Sequence, residues 1–252
     1  MPRKLRRLTE TGMYHVIMRG NGRQILFEHD DDREIFLRYL DHMVDRYHVE
    51  LIAWCLMSNH VHLVLDDPEG NLSACIHDVG SAYAGHYNRT TGHCGAVFEG
   101  RFASIPIESD EQLLSVVCYI HDNPRKVGVT DALAYVWSSY SEYVTGRSGH
   151  CNPARVLEYL GGSDAFRRYS ESGDHGEYVP RVHTRLSDEE ALAVAKDTLG
   201  EERLASLKAD DRHVRTLGLQ ALRDAFLSVR QIERVTGIGR GIINRTTHSR
   251  HV

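Results

Sequence analysis

Apolar positions recur with two periods along the first half of the chain. Met13–Met18 (MYHVIM) is a near-continuous apolar run of strand length, closed by the turn Arg19-Gly20-Asn21-Gly22-Arg23. Behind Asp30–Asp32, which offer an N-cap, Ile35, Phe36, Leu40, Met43 and Val44 repeat at helical spacing to about Tyr47. Glu50–Leu65 predicts a second strand region, and Asp66-Asp67-Pro68-Glu69-Gly70 predicts the turn that closes it. Leu72–Asn88 predicts a second helix and Phe98–Ile107 a further strand. A third helix opens at Ser109-Asp110-Glu111 and must stop near Asn123, because Pro124 disfavours helical backbone in the residue before it. Strands alternating with helices in this order predict an α+β fold with helices on one sheet face.

The pattern then changes. Thr145–Asn152 (TGRSGHCN) is rich in glycine and serine and reads as a boundary, giving units 1–145 and 146–252. The remainder of the chain is almost all helical pattern, broken by a polar stretch around Glu171–Tyr178, and no internal repeat is present. Near the end, Ser228 is an N-cap candidate before Val229, Ile232 and Val235. Gly237 makes a turn, and Ile238 precedes a second segment through Ile242, Ile243 and Thr246. Residues 228–247 resemble a helix-turn-helix with Arg240, Asn244 and Arg245 on its second helix. Arg and Asn are side chains that read guanine and adenine edges. Glu233 stands where such units usually carry a small residue.

Composition narrows the class. With 252 residues, 41 % of them hydrophobic and 26 % charged, disorder and a fibrous fold are excluded. Five cysteines without a CxxC pair predict reduced thiols in a cytosolic protein rather than disulfides or a zinc ribbon. Leu51–Met57 is the longest apolar run, far short of the roughly 20 residues a membrane helix needs. The N-terminus MPRKLRR lacks the apolar core of a signal peptide, so a soluble, cytoplasmic protein without a membrane partner is expected.

The net charge of −5 argues at first against a nucleic-acid partner. It is unevenly spread. Residues 1–145 hold 13 Lys and Arg against 20 Asp and Glu, a balance of −7, and residues 146–252 hold 17 against 15, or +2. Arg3, Lys4, Arg6 and Arg7 form a basic arm, and the last 30 residues hold six arginines against Asp224 and Glu233. A ligand meets patches, not averages.

Two clusters carry chemistry. His60-Val61-His62 lies inside an apolar strand pattern, so the two imidazoles project from one pleat face about 7 Å apart along the strand. Two rings so placed can converge on a metal ion; on a solvent-facing sheet they would simply be surface histidines. On the third helix, Leu113, Val116, Val117 and Ile120 make the buried stripe, Tyr119 sits at its edge, and Asn123 lies one turn on beside it. Alone, that pair reads as an amphipathic edge residue and a C-cap before proline.

Together the clusters match a pattern that runs through most of residues 8–145. Tyr14–Asn21 (YHVIMRGN), Cys55–Val64 (CLMSNHVHLV), Val97–Phe102 (VFEGRF), Tyr119–Pro124 (YIHDNP) and Val136–Tyr140 (VWSSY) occur in family order. The chain resembles the REP-associated tyrosine transposases, within the single-tyrosine HUH (His–hydrophobic–His) transposases. That resemblance implies a ferredoxin-like antiparallel sheet, Tyr119 as nucleophile, and His60, His62 and Asn123 as ligands of Mg²⁺ or Mn²⁺. It implies nicking and joining of single-stranded, hairpin-bearing DNA through a 5′-phosphotyrosine, by a monomer or homodimer. Asp122 and Arg125-Lys126 depart from the family pattern, which is apolar there. Arg19, Arg23, Arg101 and the basic arm are candidate DNA contacts, with Tyr14 and Phe102 as candidate stacking platforms. Duplex DNA would fall to the C-terminal region. The rival reading is a non-catalytic, sequence-specific DNA-binding regulator derived from a transposase.

Overall fold

A computed structural model describes residues 9–128, 133, 135–173, 176, 178–180, 188–225 and 227–247. The basic arm Arg3, Lys4, Arg6 and Arg7 lies outside the described residues. The chain divides into two compact units, Met1–Pro180 and Arg181–Val252.

In the first unit, β1 (Met13–Arg19), β2 (Glu50–Met57), β3 (His60–Asp66) and β4 (Ala103–Pro106) form an antiparallel sheet in the order β2-β3-β1-β4. With α1 (Asp30–Arg46) between β1 and β2 and α2 (Leu72–Thr91) between β3 and β4, this is the ferredoxin-like arrangement. The stretch Glu50–Leu65 is therefore two strands, not one. Ser58 and Asn59 connect them, and Met57 pairs with His60 across the hairpin. No glycine or proline marks that reversal; the apolar pattern runs straight through it, and only the pairing separates the strands. The predicted strand at Phe98–Ile107 contracts to β4, with Phe98 making a single bridge to Gly20.

The pleat sorts side chains between two cores. Tyr14, Val16 and Met18 of β1 and Val61, Leu63 and Leu65 of β3 pack under Phe36, Leu37 and Leu40 of α1 and Leu72, Ile76, Val79 and Tyr83 of α2. A register shift between Leu51 and Ala53 lets Ile52 and Ala53 face the same side, the opposite one. That face is covered as well, beyond the helices on one face that the element order predicts. Leu113, Val116, Val117 and Ile120 of α3 (Asp110–His121) pack there against Met13, Ile52, Cys55 and Val64. Ser109 caps α3 by accepting from the Gln112 amide at 3.2 Å.

The boundary at Thr145 moves downstream. α4 (Tyr140–Thr145), α5 (Ala154–Leu160) and α6 (Ser163–Ser172) deliver Tyr140, Tyr143, Val144, Val156 and Phe166 to the α3-side core. The Gly- and Ser-rich stretch is itself fastened, with the Asn152 amide donating to the Leu51 carbonyl at 2.8 Å. It is a packed connection, because its amides satisfy groups at the sheet edge.

The second unit is helical: α7 (Asp188–Leu199), α8 (Glu201–Ser206), α9 (Arg212–Asp224), α10 (Val229–Thr236) and α11 (Arg240–Thr247). It has its own core of Ala191, Ala195, Leu204, Leu207, Leu219, Leu222, Leu227, Ile232, Ile238 and Ile243. Ser228 and Gln231 form a capping box on α10. Gly237 ends it at φ 66°, a conformation glycine adopts without steric cost. Glu233 does not crowd the crossing: its carboxylate pairs with Arg240 at 2.9 Å. Among the described residues no helix is long and apolar enough to cross a membrane.

Candidate active site

The site lies on the α3 side of the sheet. Because β3 alternates, His60 and His62 point there while Val61, Leu63 and Leu65 point to the α1–α2 core. The two imidazoles stand edge to face with ring centroids 4.9 Å apart. His60 Nδ1 lies 2.8 Å from Asn59 Oδ1, so the amide oxygen accepts the ring proton and His60 carries it on Nδ1. His62 is buried, and its Nδ1 lies 2.9 Å from Nε2 of His15.

Helix α3 brings Tyr119 across from these rings, 5.8 Å between centroids from His62 and at 86° to it. Asn123 is buried just past the helix end. Its Nδ2 donates to the Tyr119 carbonyl at 2.8 Å, and its side chain also hydrogen-bonds the phenol. Burial raises the Tyr119 pKa above the usual phenol value; the Arg19 charge and the Asn123 hydrogen bond oppose that rise. Arg19 faces His60 in the β1–β3 register. His60, His62, Tyr119, Asn123 and Arg19 thus assemble in one place from two strands and one helix.

Other predicted residues fall elsewhere. Arg23 is exposed in the 3₁₀ turn Asn21–Arg23 and Arg101 is exposed in the bend before β4. Tyr14 is not a stacking platform: β1 alternation sends it into the α1–α2 core, 3 % exposed. Phe102 packs partly buried against that same core. Arg240, Asn244 and Arg245 belong to the second unit, and Arg240 is engaged by Glu233. Asp122, the α3 C-cap, pairs with Arg125 at 3.2 Å.

Two site residues escaped the sequence reading. His15 is fully buried between His62 and Tyr178; its ring centroid lies 5.1 Å from that of His62, and its Nδ1 lies 2.9 Å from Tyr178 Oη. Tyr178 stands over Tyr119 with centroids 5.2 Å apart. The polar position in MYHVIM was the available signal for His15. Nothing local marks Tyr178.

In this unit an antiparallel ferredoxin-like sheet presents a His–hydrophobic–His strand to a helical tyrosine. Residues 9–123 match the model of the IS200-like transposase family. The structure of a REP-associated tyrosine transposase bound to a REP hairpin aligns with a TM-score of 0.50 at 18 % identity, over 64 % of this chain and 97 % of that one. The shared feature is the fold. A crystal structure of a proposed transposase from Deinococcus radiodurans R1 aligns with a TM-score of 0.34 at 20 % identity, over 48 % of this chain and 97 % of that one. No curated protein matches the sequence.

Proposed function

We propose that this protein is a REP-associated type of tyrosine transposase that cuts and rejoins single-stranded DNA through Tyr119. The observation carrying the reading is the approach of Tyr119 to the His60–His62 pair, two histidines and a phenol from separate elements converging on one face. In the reaction, Tyr119 Oη attacks a phosphodiester phosphorus and the P–O3′ bond breaks. The phenol loses its proton, the 3′ oxygen gains one, and the 5′ phosphate stays on the tyrosine. One ester replaces another, so the released 3′ hydroxyl can reverse the exchange and rejoin the strand.

The donor set suits a divalent cation. Nδ1 of each histidine is engaged, His60 by Asn59 and His62 by His15, which directs Nε2 of both toward a shared ligand. Among the described residues no third His, Cys, Asp or Glu joins them. The resemblance to the tyrosine transposases offers the amide oxygen of Asn123, beside Tyr119, as the third donor. Two nitrogens and one oxygen favour Mn²⁺ over Mg²⁺, which prefers oxygen shells. When bound, such an ion offsets the charge that develops on the phosphate oxygens. Arg19 supplies a fixed cation beside the phenol, and Arg23 and Arg101 offer exposed charge to the strand.

A hairpin-bearing substrate is supported by the REP hairpin held by the structural neighbour. We read α10 and α11 as a helix-turn-helix for duplex DNA, with Asn244 and Arg245 on the second helix beside the paired Arg240.

The test is labelled hairpin DNA with a single-stranded flank, incubated with Mn²⁺ or Mg²⁺ and resolved under denaturing conditions. Wild type should form a covalent adduct that Tyr119→Phe abolishes. DNA binding without cleavage under either metal would replace this reading with a regulator. A nick that persists in Tyr119→Phe but not in His60→Ala would mean a hydrolytic site with another nucleophile.

A further inference from the structure

We infer that His15 is a positioning residue for His62: it holds the His62 ring with its proton on Nδ1, and Tyr178 holds His15 in the complementary state. The inference rests on the metal-site reading above and adds two residues to it.

The geometry is a chain of two contacts from three segments. His62 Nδ1 and His15 Nε2 are 2.9 Å apart, and His15 Nδ1 and Tyr178 Oη are 2.9 Å apart. His15 pairs with Val64 across β1–β3, which makes His62 its diagonal neighbour on the same pleat face. The two ring planes are inclined at 28° with centroids 5.1 Å apart, and the 2.9 Å separation of Nε2 and Nδ1 makes the facing nitrogen atoms the contact. His15 has no solvent access, so its ring nitrogens are satisfied from within the protein, by His62 and Tyr178.

Counting protons fixes the direction. A ligating His62 Nε2 carries no proton, so the single proton of a neutral His62 ring sits on Nδ1 and donates to His15 Nε2. His15 then accepts at Nε2, carries its own proton on Nδ1 and donates that to Tyr178 Oη. Every link points away from the metal side, and each ring has one protonation state that satisfies both of its contacts. Reversing the chain would place a proton on His62 Nε2, where a cation must bind. Partners of this kind set ligand orientation and basicity, and their loss typically lowers metal affinity about 10–100-fold.

The experiment uses the full chain with Mn²⁺ as probe, its affinity read by electron paramagnetic resonance titration, and ¹⁵N NMR of the histidine rings without metal. His15→Leu should weaken Mn²⁺ binding about 10–100-fold and let His62 populate the Nε2–H form. His15→Gln places an amide acceptor near the lost Nε2 and should restore most of the affinity and the Nδ1–H state. Tyr178→Phe leaves the buried position intact, removes the end of the chain, and should shift the His62 ring equilibrium in the same direction. Unchanged affinity and an unchanged His62 ring in both His15→Leu and Tyr178→Phe would overturn the inference while leaving the metal site standing. If His15→Leu does not fold, an unchanged ring in Tyr178→Phe overturns it alone. Wild-type Mn²⁺ binding that is absent, or indifferent to His60→Ala, would overturn the metal-site reading and the inference with it.

Discussion

Nε2 of His121 lies 2.8 Å from Ser139 Oγ, while its Nδ1, inside a box of Tyr140, Tyr143 and Phe166, has no hydrogen-bond partner among the described residues. Burial among these rings disfavours the imidazolium and lowers the His121 pKa to about 3. At pH 7 the ring is neutral both folded and unfolded. As the pH falls below about 6.5 the unfolded chain takes up a proton that the folded one refuses, so stability drops until about pH 3. At about 1.4 kcal/mol per pH unit, His121 alone costs about 2 kcal/mol between pH 6.5 and pH 5. His121→Gln, which keeps a partner for Ser139 but cannot titrate, should lose about 2 kcal/mol less than wild type between pH 7 and 5 in urea unfolding. Parallel losses in the two proteins would contradict this.

Arg19 opposes the burial that raises the Tyr119 pKa. Arg19→Met keeps the stem and removes the charge, so the phenol pKa should rise. At neutral pH each unit of rise lowers the phenolate fraction about tenfold. Carbon-13 NMR of the labelled tyrosine ring measures the shift, and the nicking rate should fall with it. A fall in nicking without a shift would assign Arg19 to DNA binding alone.

Glu142 is a buried carboxylate that accepts from the Trp54 indole at 2.9 Å and from the Cys151 amide at 2.9 Å. Glu142→Ala leaves both donors without that acceptor, at a cost of about 2–4 kcal/mol. The denaturant midpoint should shift accordingly, with little change in slope. A loss below about 0.5 kcal/mol would mean that water replaces the carboxylate at both donors.

A chain ending at Pro180 retains the whole core of the first unit, whereas one ending at Thr145 lacks Val156, Phe166 and Tyr178. The longer truncation should unfold cooperatively and still cut short single strands. The shorter one should lose more than about 3 kcal/mol, the usual cost of deleting one large core aromatic. Equal stability of the two would restore the boundary at Thr145.

Asn244→Ala and Arg245→Ala should weaken duplex binding by about 1–3 kcal/mol each without altering adduct formation on short single strands. Fluorescence anisotropy against both substrates, over a range of salt, separates the two. Equal losses on both would remove the division of labour between the units.

How much of this was legible can be read from single residues. The alternation in β3 placed His60 and His62 on one face, and helical spacing placed Asn123 beside Tyr119; both are local regularities of period two and 3.6. The hairpin at Ser58-Asn59 was invisible, because the strands on either side are buried and their apolar runs merge. The stretch at Thr145–Asn152 misled for a related reason. Gly149 looks like linker composition, yet a Cβ there would sit 2.4 Å from the Glu142 carboxyl carbon, so the glycine marks close packing.

The sequence by itself determined the elements, the strand face that carries the histidine pair, the helix edge that carries the tyrosine, and the uneven charge, since all of these are properties of neighbours along the chain. Only the tertiary structure decided that α3 closes the second face, that the first unit extends to Pro180, and that His15 and Tyr178 complete the site. His15 and Tyr178 are 163 positions apart and meet through strand register and the packing of α3 to α6. A contact of that kind leaves no periodic trace in the sequence, because either residue, read alone, is consistent with a place in the core.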